Sequence, residues 1–367
     1  MQSLYLVTCP KGLVQLLNNE LKRLDIKTFD SFDTGTFFYG TMDDCIRVNL
    51  RSRIANVVYL CLWEEKILDF DTLFEYVKSL PWKDFCHDCC HVSLEVNTYN
   101  SQLSAQRSIQ SISHKAIAES VGCMFPDDGV EREIYIHFKS DLCRVFINTS
   151  GERLYKRWRR KQVGVAPLKE NIAAWLVLLS GWRFREPLVD RCCGTATILI
   201  EAAMIAKNIA PWLQRNFAFQ DFWWYDADNF DRIKQDALAK QFQGNYQLYG
   251  YDISHQAVDM AQGYVTALWF DDCIRIQQAD ATVQTGQEII VPESYRMISN
   301  PPYDKRIHSD DIDNLYEHLF RRLHSPKILG WGIYTGFDYV TPREKEGLHS
   351  KSIPNGDIEA EFWWKWG

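Results

Sequence analysis

The stretch Leu188-Val189-Asp190-Arg191-Cys192-Cys193-Gly194-Thr195-Ala196-Thr197-Ile198-Leu199-Ile200-Glu201 changes its hydrophobic pattern midway. An apolar run ending at Asp190 reads as a buried strand, a turn of small residues follows, and an apolar helix begins near Thr197. A strand passing straight into a helix is the unit of a parallel α/β sheet. The turn also directs backbone N–H groups and a side-chain-free glycine toward the place where a nucleotide-like ligand would sit. Its glycine spacing is not the dinucleotide fingerprint, and a bare strand-to-helix turn would read the same way.

Downstream, the same alternation repeats. In Leu248-Tyr249-Gly250-Tyr251-Asp252-Ile253-Ser254 a strand ends on Asp252. A carboxylate there can accept both hydroxyls of a ribose, although the place also suits a helix N-cap, which Ser254 could equally supply. Gln277-Gln278-Ala279-Asp280-Ala281 again ends a β run on an acid, Asp280, placed to meet an adenine amine. Ile298-Ser299-Asn300-Pro301-Pro302-Tyr303 closes a further apolar strand. Two prolines bring no N–H, so the carbonyls of this loop stay available as acceptors. Asn300 adds a side-chain carbonyl and Tyr303 a flat ring, which together suit a planar base carrying an exocyclic amine.

Upstream of Pro167 the pattern is of another kind. Ser3–Thr8 reads as a strand, Leu13, Leu16, Leu17, Leu21 and Leu24 as a helix, Thr36–Tyr39 as a strand, Asp43–Arg53 as a helix and Val57–Trp63 as a buried strand. A small βαβαβ unit of the split α/β kind fits. Between residues 70 and 147 the expectation is a helix near Thr72–Ser79, a strand at Val92–Val96, a helix over Ser104–Val121 and a late hairpin of Ile134–Phe138 with Arg144–Ile147. Then comes a basic run: Arg153, Lys156, Arg157, Arg159, Arg160 and Lys161 lie within nine residues, with Tyr155 and Trp158 among them. A charge run is commonly a solvated linker. The interleaved aromatics point instead to nucleic acid, because phosphate neutralisation and base stacking need both residue types.

Composition bounds the rest. The 367 residues suggest two or three domains, and 46% apolar with 24% charged residues excludes disordered and fibrous classes. A net charge of −7 argues against a uniformly basic coat but leaves room for a local basic groove. The longest apolar runs, Val57–Trp63 and Ala173–Leu179, are far short of the ~20 residues a membrane span needs. The N-terminus carries no basic, cleavable leader, and eleven scattered cysteines read as reduced thiols, so the expected location is cytoplasmic.

Asn300-Pro301-Pro302-Tyr303 resembles the amino-methyltransferase motif of class I S-adenosylmethionine-dependent enzymes. Pro167-Leu168-Lys169-Glu170-Asn171 resembles the segment of that family that closes over the methionine part of the cofactor. Asp190–Thr197 is similar to its Asp-Pro-x-Cys-Gly-Ser-Gly-Thr loop, departing from it at Arg191, Thr195 and Ala196. Asn208–Pro211 through Arg215–Phe219 and the junction Thr149–Arg157 resemble segments of THUMP-containing guanine-N2 RNA methyltransferases. Pro81-Trp82 and the Ser101–Ala118 region fit a ferredoxin-like plus THUMP arrangement more weakly.

The resemblance implies a Rossmann-like class I methyltransferase domain over 166–367, preceded by an α+β region: a ferredoxin-like domain over 1–65, a THUMP domain over 66–150 and a basic linker over 151–165. It implies methyl transfer from S-adenosylmethionine to the exocyclic N2 of a guanine in RNA. Large-subunit (23S) ribosomal RNA is expected ahead of transfer RNA, with no membrane and no obligate protein partner. Lys169, Glu170, Asp190, Cys193, Gly194, Thr195, Thr197, Asp252, Ile253, Asp280, Ala281 and Asn300 would hold the cofactor. Asn300, Pro301, Pro302 and Tyr303 would hold the target base, and Arg153, Lys156, Arg157, Arg159, Arg160 and Lys161 the RNA. Adenine-N6 methylation of DNA and a non-catalytic RNA-binding protein whose loop has degenerated at Arg191 and Ala196 are the alternatives.

Cys86-His87-Asp88-Cys89-Cys90-His91 contains a Cys-x-x-Cys pair, which suggests zinc. A structural site needs four ligands, usually from two separated pairs, and no second pair with suitable spacing follows, Cys192-Cys193 being part of the turn after the strand that ends at Asp190. No metal is expected, and His114, His255 and His308 are read as ordinary polar positions.

Overall fold

The structure, a computed structural model, describes residues 2–86, 90–122, 129–157, 168–282, 292–303, 309–336, 347–356 and 358–366. The chain divides into two compact units. The first holds Met1–Cys9, Leu17–Leu154 and Trp212–Asp236, and the second Pro10–Leu16, Tyr155–Pro211 and Ala237–Gly367.

Along the first part of the chain the elements are β1 (Ser3–Thr8), α1 (Val14–Arg23), β2 (Thr28–Phe32), β3 (Gly35–Gly40), α2 (Met42–Arg51) and β4 (Val57–Lys66). They continue as α3 (Phe70–Ser79), β5 (Cys90–Tyr99), α4 (Gln106–Val121), β6 (Val130–Lys139) and β7 (Leu142–Asn148). The seven strands form one sheet in the order β2-β3-β1-β4-β7-β6-β5, antiparallel except for the β5–β6 pair. Local chemistry sets the helix starts. Thr41 and Asp44 form a capping box at α2, and Asp69 caps α3 through the Thr72 amide at 2.7 Å. In β6, Arg132, Ile134, Ile136 and Phe138 alternate inward, the period-two pattern of a half-buried strand.

Two features differ from the expectation. β2 was not foreseen, because the centre of its Thr28-Phe29-Asp30-Ser31-Phe32 run is polar and exposed at the sheet edge. The boundary expected at residue 65 falls inside β4, whose pairing with β7 carries one continuous sheet across it.

The second part runs α5 (Glu170–Leu179), β8 (Leu188–Asp190), α6 (Thr197–Ala206), α7 (Ala227–Ala239), β9 (Leu248–Asp252), α8 (His255–Ala267) and β10 (Ile274–Gln278). It ends with β11 (Tyr295–Ser299), α9 (Ser309–Leu323), β12 (Ile328–Thr335), β13 (His349–Ser352) and β14 (Glu361–Trp366). The strand order is β10-β9-β8-β11-β12-β14-β13, with the first five parallel and β14 antiparallel to β12. From β8 the chain builds outward one way through β9 and β10, and from β11 the other way through β12. The order therefore reverses between β8 and β11, and a ligand crevice in such sheets opens at the carboxyl ends of the strands there. Between sheet and α9, Val189, Tyr251, Met297, Tyr316, Phe320, Trp331 and Ile333 form a buried core.

The segment Trp212–Asp236 interrupts the span expected for the C-terminal domain, since it folds as part of the first unit. Asp221 there pairs with Arg132 at 2.7 Å, Phe222 meets Phe85 edge-on at 5.0 Å, and the Phe219 amide donates to the Thr149 carbonyl at 3.0 Å. Among the described residues no helix is long and apolar enough to cross a membrane.

Candidate active site

The loops after β8, β9 and β11 are tied to one another by hydrogen bonds at the switch point. The Gly194 amide donates to Asp252 Oδ2 at 2.8 Å, the Cys193 amide to the Tyr251 carbonyl at 2.9 Å, and the Arg191 amide to Ser299 Oγ at 2.9 Å. The Ala279 amide donates to the Asp252 carbonyl at 2.9 Å, which brings the Asp280 loop alongside. The sequence-predicted stations Asp190, Gly194, Asp252, Asp280 and Asn300 thus belong to one rim of the sheet.

Each acid is held differently. Asp252 Oδ1 accepts the Ser254 amide at 3.0 Å, so two backbone N–H groups orient its carboxylate. An ionised carboxylate has about four acceptor positions, which leaves capacity for ribose hydroxyls. Asp280 accepts both the amide and the hydroxyl of Thr282 on one oxygen, each at 2.7 Å. Asp190 is fully buried, its Oδ1 accepting the Cys192 amide at 3.1 Å. Burial pushes its carboxyl up to about 7, opposed by hydrogen bonds from the Cys192 amide and the Ser299 hydroxyl. Burial, with Asp190 and Asp252 nearby, also drives the Cys192 and Cys193 thiols well above their usual range and keeps them from acting as thiolates.

The turn has room for a ligand. Gly194 has φ +52°, and a Cβ built on it would meet nothing within 4 Å. Beneath it the packing is tight: a Cβ on Gly250 would lie 2.7 Å from both Leu199 Cδ1 and Ile276 Cδ1, so a larger residue there would require those two side-chain tips to move. Ala196, where the resembled loop carries glycine, adopts φ +62° and precedes α6 without a side-chain cap. Ile253, 65% exposed, offers an apolar plate beside Asp252. Ala281 and Thr197 are buried and Thr195 half-buried. Lys169 and Glu170 open α5, with Lys169 Nζ 5.0 Å from the centre of the Tyr155 ring and Glu170 buried.

At the end of β11, Asn300 Oδ1 is buried and, among the described residues, accepts no hydrogen bond. The neighbouring Pro302 carbonyl accepts from the Tyr316 hydroxyl at 3.4 Å. A buried acceptor without a donor is costly in a folded protein, so it marks a place where a ligand donor belongs. An adenosyl cofactor and a planar amine fit this donor set: a carboxylate for hydroxyls, open space over glycine, an apolar plate and an orphaned amide oxygen.

Two expectations need correction. Tyr303 is only 1% exposed, its ring packed where a Cβ on Gly336 would lie 2.8 Å from it, so it does not present an open stacking face. Arg157 is buried against Glu201 of α6 and cannot meet RNA phosphates. Arg153 is half-buried beside Glu133 at 3.2 Å, and Lys156 is exposed. Trp158, Arg159, Arg160, Lys161, His308, and His87, Asp88 and Cys89 of the cysteine cluster lie outside the described residues. Among the described residues no group of three or more His, Cys, Asp or Glu side chains could hold a metal.

Ser299 is a further residue of this rim, outside the motif that follows it; its signal in the sequence is a hydroxyl directly after the apolar Met297-Ile298 pair, where it would be buried and need partners.

Residues 157–341 match the family model described as "RMKL-like, methyltransferase domain", and residues 5–59 the model of the "RlmL ferredoxin-like domain". A Bacillus subtilis protein named "Putative RNA methyltransferase YpsC" is 26% identical over 98% of this chain and 95% of its own. The "Ribosomal RNA large subunit methyltransferase K/L" of Psychromonas ingrahamii is 30% identical over 86% of this chain and 43% of its own, so the chain spans about half the length of such relatives. A solved structure titled "Crystal structure of SMU.472, a putative methyltransferase complexed with SAH" superposes with a TM-score of 0.83 at 26% identity, covering 100% of this chain and 98% of that one.

Proposed function

The chain belongs to the RMKL-like methyltransferase family, and from that premise we propose that it transfers a methyl group from S-adenosylmethionine to the exocyclic N2 of a guanine in RNA. The observation that carries this reading is the buried Oδ1 of Asn300 at the carboxyl end of β11, which has no hydrogen-bond partner among the described residues. An exocyclic guanine amine has two hydrogens to place and a lone pair delocalised into the ring. Asn300 Oδ1 accepts one hydrogen and a carbonyl of the Pro301-Pro302 loop the other, which turns the lone pair toward the cofactor.

S-adenosylmethionine, when bound, supplies an electrophilic methyl group on a sulfonium. Asp252 would hold its ribose hydroxyls, Ile253 would cover the adenine, and Asp280 would meet the adenine amine. Lys169 and Glu170 would hold its methionine part. Alignment of the amine supplies much of the rate, and no strong base is required. After transfer the surplus proton leaves N2 for water. The base must leave its stack to reach this loop. Because Tyr303 is buried, the base is received by the amide oxygen and loop carbonyls rather than by that ring.

Large-subunit ribosomal RNA is the substrate we favour, because relatives bearing that name align with most of this chain. Lys156 and the cations at 159–161 would contact RNA phosphates. The test is to incubate purified protein and labelled S-adenosylmethionine with ribosomal RNA, transfer RNA and DNA, digest the products and identify the methylated base. N2-methylguanine in ribosomal RNA is the expected result. N6-methyladenine in DNA would overturn it, and N2-methylguanine confined to transfer RNA would overturn the substrate assignment.

A further inference from the structure

We infer that Ser299 is a positioning residue that fixes Asn300 relative to the cofactor loop, through the buried hydrogen bond that its hydroxyl oxygen accepts from the Arg191 amide. The inference rests on the reaction proposed above and assigns a role to a residue outside the Asn-Pro-Pro-Tyr motif.

β8 and β11 are adjacent and parallel, with Val189 opposite Met297. Two residues further on, Arg191 and Ser299 face one another, and the Arg191 amide donates to Ser299 Oγ at 2.9 Å. Asp190, the last residue of β8, accepts the Cys192 amide at 3.1 Å. Ser299 is 0% exposed and Asp190 1%, so water does not reach this place to replace a missing partner. The Ser299 oxygen gives a lone pair to the Arg191 amide. An apolar side chain would leave that buried amide short of a partner.

Asn300 is the next residue. Its backbone leaves β11 from an anchored Ser299, and its Oδ1 must meet a target amine in line with the methyl donor. Displacement by about 1 Å can cost such a reaction ~10²-fold. The hydrogen bond from the Arg191 amide also holds the turn that approaches the ligand, so one hydroxyl sets the spacing between donor loop and acceptor loop.

Three variants, Ser299→Ala, Ser299→Thr and Asn300→Ala, are compared by single-turnover methylation, calorimetric affinity for S-adenosylhomocysteine, and hydrogen exchange of the Arg191 amide without ligand. For Ser299→Ala we expect turnover to fall ~10–100-fold while cofactor affinity stays within ~3-fold, since the ribose partner Asp252 is untouched. The Arg191 amide should exchange at least ~10-fold faster. Ser299→Thr keeps the hydroxyl and should restore turnover to within ~5-fold of the parent. If the added methyl prevents folding, the exchange rate of the Arg191 amide in Ser299→Ala decides. Turnover of Ser299→Ala within ~3-fold of the parent, unchanged Arg191 exchange, or a loss of cofactor affinity as large as the loss of turnover would each overturn the inference. If Asn300→Ala is impaired while Ser299→Ala is not, only this inference fails. If Asn300→Ala is fully active, the proposed reaction site itself fails.

Discussion

Arg157 and Glu201 form an ion pair in which neither side chain is exposed, and it fastens the middle of the basic run to α6. Truncating Arg157 to Ala leaves the Glu201 carboxylate buried without that cation, a loss of about 3–5 kcal/mol. The double variant Arg157→Met, Glu201→Leu should recover most of it, because well-packed apolar replacements of buried pairs are often neutral. Chemical denaturation of both proteins checks this, and a single variant as stable as the parent would remove the pair's structural role.

The remaining cations of the run should behave differently. Replacing Arg159, Arg160 and Lys161 by Ala should weaken RNA binding at low salt and flatten its salt dependence by up to three counterions' worth of slope, about 0.7–0.9 per lost phosphate contact. Cofactor affinity should not move. Fluorescence titrations across a salt series read the slope directly, and an unchanged slope would assign the run to solvent.

Asn300→Ala should lower single-turnover methylation by roughly 10²–10³, the scale for deleting one preorganised polar group at a reacting centre. Its melting temperature should stay at or above that of the parent, because Oδ1 makes no hydrogen bond among the described residues that folding could lose. A variant that loses activity only in step with stability would show that Asn300 merely shapes the loop.

Asp252→Ala removes the proposed ribose acceptor and also the oxygen that accepts the Gly194 amide. Cofactor affinity should fall by about 1.5–3 kcal/mol, the range for hydrogen bonds to a charged group. The thermal stabilisation that ligand gives the parent should shrink to match. RNA affinity measured without cofactor should be unaffected.

Asp190 makes the stability of the protein depend on pH in an unusual direction. Its carboxyl sits near 7 in the fold, against about 3.9 in an unfolded chain. Between those values the folded protein keeps a proton that the unfolded chain gives up, so this group's contribution to stability declines as pH rises through the window. Asp190→Asn abolishes that titration. Melting curves from about pH 4 to 8 should therefore show the variant gaining on the parent as pH rises through this window. A constant difference between the two proteins would mean that Asp190 is ionised throughout.

How much of this was legible beforehand depends on the range of the interactions concerned. The strands ending at Asp190, Asp252, Gln278 and Ser299 were readable because apolar runs and their polar punctuation are local. The sheet edges were less so: the exposed Asp30-Ser31 centre of β2 hides its alternation, and its strand pairing comes from β3. Tyr303 and Arg157 show the same limit at the level of side chains. An aromatic in a ligand loop and an arginine in a basic run suggest stacking and phosphate contact, yet burial against Gly336 and Glu201 gives each another task.

The sequence by itself determined the alternation of strands and helices, the order of the acidic stations and the acceptor character of the Asn300-Pro301-Pro302 loop, because each is a property of neighbouring residues. Only the tertiary structure decided that β4 and β7 join the N-terminal strands into one sheet, and that Trp212–Asp236 belongs to that unit. It also decided that the Ser299 hydroxyl meets the Arg191 amide. Those outcomes depend on which distant groups meet in a buried, water-poor place, where every polar atom must find a partner across the fold.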